Sequence, residues 1–147
     1  MTEAGRNAVI VGFDLSEASR QAVWWAAREA DLRRAPLLLM HAFDWPFMEL
    51  TPVHVGDKGE VVESLQQAMR HELENLVEGC QGIAPDLDVR TELISGDPPR
   101  VLGEAAEEAA LLVVGASGFG GLYRGSAGST TAEVVARRSR TPVVVVR

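Results

Sequence analysis

Lysine is almost missing from this chain: Lys58 is the only one among 147 residues. A Walker-type phosphate loop ends in Gly-Lys-Ser/Thr, and no lysine follows the glycine-rich segment near the C-terminus, so that class falls. Cysteine is as scarce. With Cys80 alone, no internal disulfide can form, and its place on an apolar stripe marks it as a buried structural thiol. The three histidines, His41, His54 and His71, are scattered over a strand end, a loop and a polar helix face. None has the spacing of a metal motif such as His-Glu-x-x-His. His71 and Glu74 would share a helix face, but as solvated charge.

Positive charge is short too. The net charge of −7 argues against a general nucleic-acid binder, which needs a basic face to displace counterions. Arg137, Arg138 and Arg140 are a local exception, suited to the last turn of a helix where cations favour the dipole. No apolar run approaches the ~20 residues that cross a bilayer. The first seven residues lack the apolar core of a signal peptide, so a cytoplasmic protein without a membrane partner is expected. Composition is that of a globular protein, 46% hydrophobic and 24% charged, and the length suits one domain over 1–147.

Strands and helices alternate along the chain. Ala8–Phe13 is a short apolar run consistent with a strand buried on both faces. Ser16 is placed to cap a helix reaching about Arg34, with Val23, Ala26, Ala27 and Ala30 as its core stripe, Trp25 at its flank and Trp24 partly exposed. After Pro36, Leu37–Phe43 is the second strand. Asp44–Asp57 has no clear period and reads as a long loop. A second helix is expected over about Gly59 to Cys80, its stripe being Val62, Leu65, Met69, Leu73, Leu76, Val77 and Cys80. Leu87–Leu93 alternates strictly, as a strand with one polar face near a sheet edge does. Asp97-Pro98-Pro99 opens a helix to about Ala109, and Leu111–Val114 is the fourth strand. Thr130-Thr131-Ala132-Glu133 matches a capping box for the last helix, which closes before Thr141-Pro142. Val143–Val146 is the fifth strand. Five strands with intervening helices imply a doubly wound α/β fold on a parallel sheet.

The most informative segment follows the fourth strand. The apolar run stops at Gly115, six glycines fall between Gly115 and Gly128 inclusive, and a helix begins near Ser129 or Thr130. Strand, glycine loop and helix start together make room for a phosphate group, because glycine lets the backbone approach and N–H groups at the helix start point at the anion. A dinucleotide fingerprint fails, since its third glycine would fall on Tyr123. Ligands of such sheets sit beyond the carboxyl ends of the strands where strand order reverses, which would bring Gly12–Ser16 and Gly115–Thr130 together. Asp14, directly after the first strand, could accept hydrogen bonds from a ribose hydroxyl or an adenine amine, or could cap its own turn.

The spacing Gly115-x2-Gly118-x9-Gly128-Ser129 resembles the nucleotide-binding signature of the universal stress protein family. Val11-Gly12-Phe13-Asp14-Leu15-Ser16, Val23-Trp24-Trp25-Ala26 and the closing strand at Pro142–Arg147 extend that resemblance over nearly the whole chain. It implies a Rossmann-like, adenine nucleotide α-hydrolase-like fold and a regulatory, stress-response protein that binds ATP, with Mg²⁺ as an optional companion. Residue by residue, it implies that Asp14 contacts the ribose, with Gly12 in the same nucleotide site, and that backbone at Ala42, with His41 beside it, meets adenine. Gly115, Ser117, Gly118, Gly128, Ser129 and Thr130 would line the phosphates. Thr130 departs from the apolar residue common there, and Gly120–Ser126 is richer in glycine than usual. Arg124 either reaches a terminal phosphate or is a solvated loop arginine. The resemblance also leaves open a rival, an interaction module of the same fold that binds no nucleotide.

Catalytic groups are not expected. Ser117, Ser126 and Ser129 lie in no Gly-x-Ser-x-Gly elbow, and no candidate base stands beside the glycine loop, so at most slow ATP hydrolysis is anticipated. The final strand, apolar on both faces and β-branched, is expected at a sheet margin, where an antiparallel match with a second copy would form a homodimer.

Overall fold

The computed structural model describes residues 5–43, 55–116 and 140–147, with only the backbone described over 55–62. Eight elements follow in chain order: β1 (Val9–Gly12), α1 (Glu17–Arg33), β2 (Leu37–Phe43), α2 (Val55–Ile83), β3 (Val89–Ser95), α3 (Pro98–Ala106), β4 (Leu111–Gly115) and β5 (Val143–Val146). The five strands form one sheet in the order β3-β2-β1-β4-β5, and every pairing is parallel. The doubly wound α/β architecture expected from the alternation is the one observed.

The sheet divides two apolar layers. Val9, Val11, Leu37, Leu39, Leu111 and Val113 face α1 and α2, and they pack on Ala22, Val23, Ala26, Ala30, Leu73, Leu76 and Cys80. Their chain neighbours Ala8, Ile10, Leu38, Met40, Leu112 and Val114 face the other way, onto Val101, Leu102, Ala105 and Ala106 of α3. A strand covered on both faces needs consecutive apolar residues, which is why these runs show no alternation. β3 has a single partner among the described strands, β2, and is an edge as its alternation implied.

Local chemistry sets most boundaries. Ser16 caps α1, its hydroxyl accepting from the Ser19 N–H at 3.1 Å, and Arg34 ends the helix in the left-handed region at φ 54°. Asp97 caps α3, accepting from the Arg100 N–H at 3.3 Å, with proline in the first turn.

Several boundaries differ from expectation. α2 begins at Val55, within the stretch read as loop, and runs to Ile83. β3 lies two residues further on than Leu87–Leu93, because Leu87 N–H closes a turn onto Ala84 O and pairing with β2 starts at Leu37↔Val89. α3 stops at Ala106, where Glu107 and Ala109 turn back to carbonyls three residues earlier. Leu65, placed on the core stripe, is 40% exposed, while Met69, Leu73, Leu76 and Cys80 are buried. The last helix, and most of the Asp44–Asp57 loop, lie outside the described residues.

Candidate functional site

Strand order reverses beside β1: the chain moves from β1 to β2 on one side, and β4 occupies the other. The carboxyl ends of β1 and β4 therefore stand next to each other, with Val9, Ile10 and Val11 paired to Leu111, Leu112 and Val113. This is the position where open α/β sheets bind ligands. The N-terminus of α1, with the positive end of its dipole, starts at the same edge.

Asp14 sits in the turn from β1 to α1. Its Oδ1 accepts from the Ser16 N–H at 3.0 Å and from the Ser16 hydroxyl, so the capping role left open by the sequence is present in the fold. The Asp14 N–H donates to Ser19 Oγ at 3.2 Å, and the Ser19 hydroxyl donates to Ser16 O at 2.9 Å. Leu15, between these residues, takes φ 72° and is 43% exposed. Arg20 brings a cation to the same turn, its guanidinium 5.9 Å from the centroid of the Phe13 ring and 3.9 Å from Glu72.

From β2, His41 reaches the same turn. The residue is 3% exposed, Nδ1 lies 2.6 Å from the Phe13 carbonyl oxygen, and the ring plane stacks on Phe43 at 14° with 6.4 Å between centroids. Burial lowers the affinity of the imidazole for a second proton, opposed by the Phe13 carbonyl and by the nearby Asp14 charge. A carbonyl oxygen only accepts, so Nδ1 carries the proton of the neutral ring. Ala42, next in β2, is half-buried on the α3 side and paired with Ile94.

The two described glycines of the site have packing neighbours of their own. A Cβ on Gly12 would stand 2.9 Å from Leu102 Cδ1, and one on Gly115 would stand 2.8 Å from the Ala18 carbonyl carbon. Absence of a side chain at Gly115 thus lets the first turn of α1 approach the end of β4. Gly12, Asp14, His41, Ala42 and Gly115 are brought to one edge of the sheet. Ser117, Gly118, Gly128, Ser129, Thr130 and Arg124 lie outside the described residues. His71 and Glu74 are exposed on α2, and the described residues hold no cluster of His, Cys, Asp and Glu able to bind a metal. Among them no helix is long and apolar enough to cross a membrane.

Sequence reasoning missed Ser19. It is buried to 3% exposure on the apolar face of α1, three residues after its own cap; a serine in phase with Ala22, Val23 and Ala26 was the available signal.

The universal stress protein family profile matches residues 5–147. The chain belongs to that family. A universal stress protein of Mycolicibacterium smegmatis is 37% identical over 146 residues, covering 94% of this chain and 47% of the relative. The chain thus spans about half the length of the curated relatives it matches. Among solved structures, a universal stress protein in complex with cAMP is 27% identical with a TM-score of 0.70, covering 97% of this chain and 98% of that one. The universal stress protein UspA from Lactobacillus plantarum shares the fold at a TM-score of 0.70 and 23% identity, covering 97% and 99% of the two chains.

Proposed function

We propose that this universal stress protein domain binds an adenine nucleotide, ATP in the first place, and acts as a regulatory protein rather than as an enzyme of rapid turnover. The observation that carries the reading is Asp14, held at the carboxyl end of β1 beside the Gly115 end of β4, at the sheet's switch point. The glycine spacing from Gly115 through Gly128-Ser129 supplies the phosphate side of the same reading, and the cAMP complex of a relative supports the class of ligand. The described residues fit the nucleoside half: a carboxylate for ribose hydroxyls and the end of β2 for the base. Mg²⁺ would accompany the terminal phosphates. In this reading the protein works in the cytoplasm, with one domain over 1–147, and bears neither nucleic acid nor membrane.

The experiment is direct. Purified protein is denatured and the supernatant analysed for adenine nucleotide, and emptied protein is then titrated with ATP and Mg²⁺. Release of nucleotide, or saturable binding, supports the proposal; no nucleotide and no binding at millimolar ATP rejects it. Turnover at the rates of a kinase would reject the regulatory part.

The second reading, an interaction module without nucleotide, is favoured by one observation: Asp14 already has Ser16 as a local partner. The same titration separates the two. In either case we propose a homodimer through β5, an edge strand paired with β4 alone among the described strands, whose Val145 is 43% exposed. Sedimentation should give twice 15.8 kDa, and Val145→Lys should give the monomer.

A further inference from the structure

The peptide unit between Phe13 and Asp14 is held from both sides by groups on two different elements, His41 being 28 positions away and Ser19 five. Its carbonyl oxygen receives the His41 Nδ1–H at 2.6 Å, and its N–H donates to Ser19 Oγ at 3.2 Å. His41 comes from β2 and Ser19 from α1, and both are 3% exposed. Each partner is itself fixed. The Ser19 hydroxyl spends its proton on Ser16 O at 2.9 Å, so it can only accept from Asp14. The imidazole is stacked on Phe43, and burial lowers its proton affinity below the ordinary 6.5, so at pH 7 it is neutral with its proton on Nδ1.

We propose that His41 is a positioning residue of the nucleotide site, which together with Ser19 locks the Phe13–Asp14 peptide plane and thereby aims the Asp14 carboxylate. The proposal rests on the nucleotide reading for its ligand, but the lock is a property of the empty protein. Rotating that peptide would break both hydrogen bonds at once, the one to His41 buried and the one to Ser19 part-buried, and would leave the Phe13 carbonyl without a partner in the protein interior. Leu15 at φ 72° is strained, and without the lock the turn that carries it is left to the local Asp14–Ser16 bonds alone. His41 precedes Ala42, so the strand end assigned to the base and the turn assigned to the ribose share one hydrogen bond.

Three variants test this: His41→Leu removes the donor, His41→Asn restores an N–H on the atom bonded to Cγ where Nδ1 stands, and Ser19→Ala breaks the lock from the other side. Two measurements need no ligand. Imidazole nitrogen NMR should find the His41 proton on Nδ1, and amide hydrogen exchange should find the Asp14 N–H protected. His41→Leu and Ser19→Ala should each speed Asp14 exchange about tenfold, with His41→Asn within about threefold of wild type. ATP titration should follow the same order, about tenfold weaker for His41→Leu and recovered in His41→Asn. A proton on Nε2, or Asp14 protection unchanged in both His41→Leu and Ser19→Ala, overturns the lock. If His41→Leu does not fold, Ser19→Ala and His41→Asn still decide it. Wild-type protein with the expected exchange pattern but no ATP binding would overturn the nucleotide reading and support the lock.

Discussion

Gly115 stands so close to Ser19 that a Cβ on the glycine would lie 2.8 Å from the Ser19 backbone nitrogen. The obstacle is backbone at the start of α1, which cannot rotate aside as a side chain would. Gly115→Ala should therefore push α1 away from β4 and cost about 1–3 kcal/mol of stability. Because Ser19 holds the Asp14 N–H, the same displacement should disturb the Asp14 turn. Urea denaturation of the variant checks the first point. A loss below about 0.5 kcal/mol would show that the two elements are not in tight contact.

A second glycine pair separates packing from helix propensity. A Cβ on Gly79 would meet the Trp24 ring at 2.5 Å, whereas one on Gly103 of α3 would meet nothing within 4 Å. Gly79→Ala must displace a half-buried indole from the α1–α2 contact and should destabilise by about 1–2 kcal/mol. Gly103→Ala should instead stabilise by about 0.5–1 kcal/mol, through the lower entropy of the unfolded chain. Thermal melts of the two variants should shift in opposite directions.

These contacts also mark what was legible in the sequence. β2 and β5 were readable to the residue because each is a short apolar run entered through a proline, Pro36 or Pro142. β3 was visible as a strand, but alternation carries no information about where a ladder starts; pairing with β2 decides that. The early start of α2 was hidden by Gly56 and Asp57, which resemble loop residues. Leu65 misled for a geometric reason. A helix of 29 residues is about 43 Å long, while a strand of seven spans about 23 Å, so part of the stripe has no sheet to cover. The placement of Asp14 and Gly115 at the carboxyl ends of β1 and β4 was legible, because each closes an apolar run. The His41–Phe13 bond was not, because it joins residues 28 positions apart and depends on β1 lying beside β2.

Arg34 ends α1 at φ 54°, its N–H bonded back to the carbonyls of Ala30 and Asp31. That is the position where helices usually carry glycine. Arg34→Gly keeps the backbone bonds and removes the Cβ strain, so it should stabilise by up to about 1 kcal/mol. Equilibrium unfolding is the measurement, and a loss of stability would mean that the arginine side chain makes a favourable contact outweighing the strain.

Cys80 is fully buried against the sheet, and burial pushes its thiol from 9.0 up to about 12. The native thiol should be inert to alkylating reagents at pH 8 and react only on unfolding. The raised value also has a stability consequence. The contribution is fully present below about pH 9, where both states hold the proton, and is lost as pH rises toward 12 because the unfolded thiol ionises first. Cys80→Ala should remove that part of the alkaline decline, at the cost of a small cavity.

His41 predicts the opposite limb of the pH profile. Burial lowers its proton affinity below the ordinary 6.5, with the Phe13 carbonyl and the Asp14 charge acting in the other direction. Above pH 6.5 the ring is neutral in both states and the stability it contributes is fully present. As pH falls below 6.5 the unfolded state takes up a proton first, so that contribution is lost progressively toward the lowered folded value. The slope from this group alone can reach about 1.4 kcal/mol per pH unit. Carboxylates titrate in the same direction at lower pH, so the informative quantity is the difference between wild type and His41→Asn, which keeps the donor to Phe13 and cannot be protonated. Urea unfolding between pH 7.5 and 5, intervals chosen about the ordinary histidine range, should show the wild-type curve falling away from that of the variant. Parallel curves would mean that the buried imidazole takes up its proton as readily in the fold as in the unfolded chain.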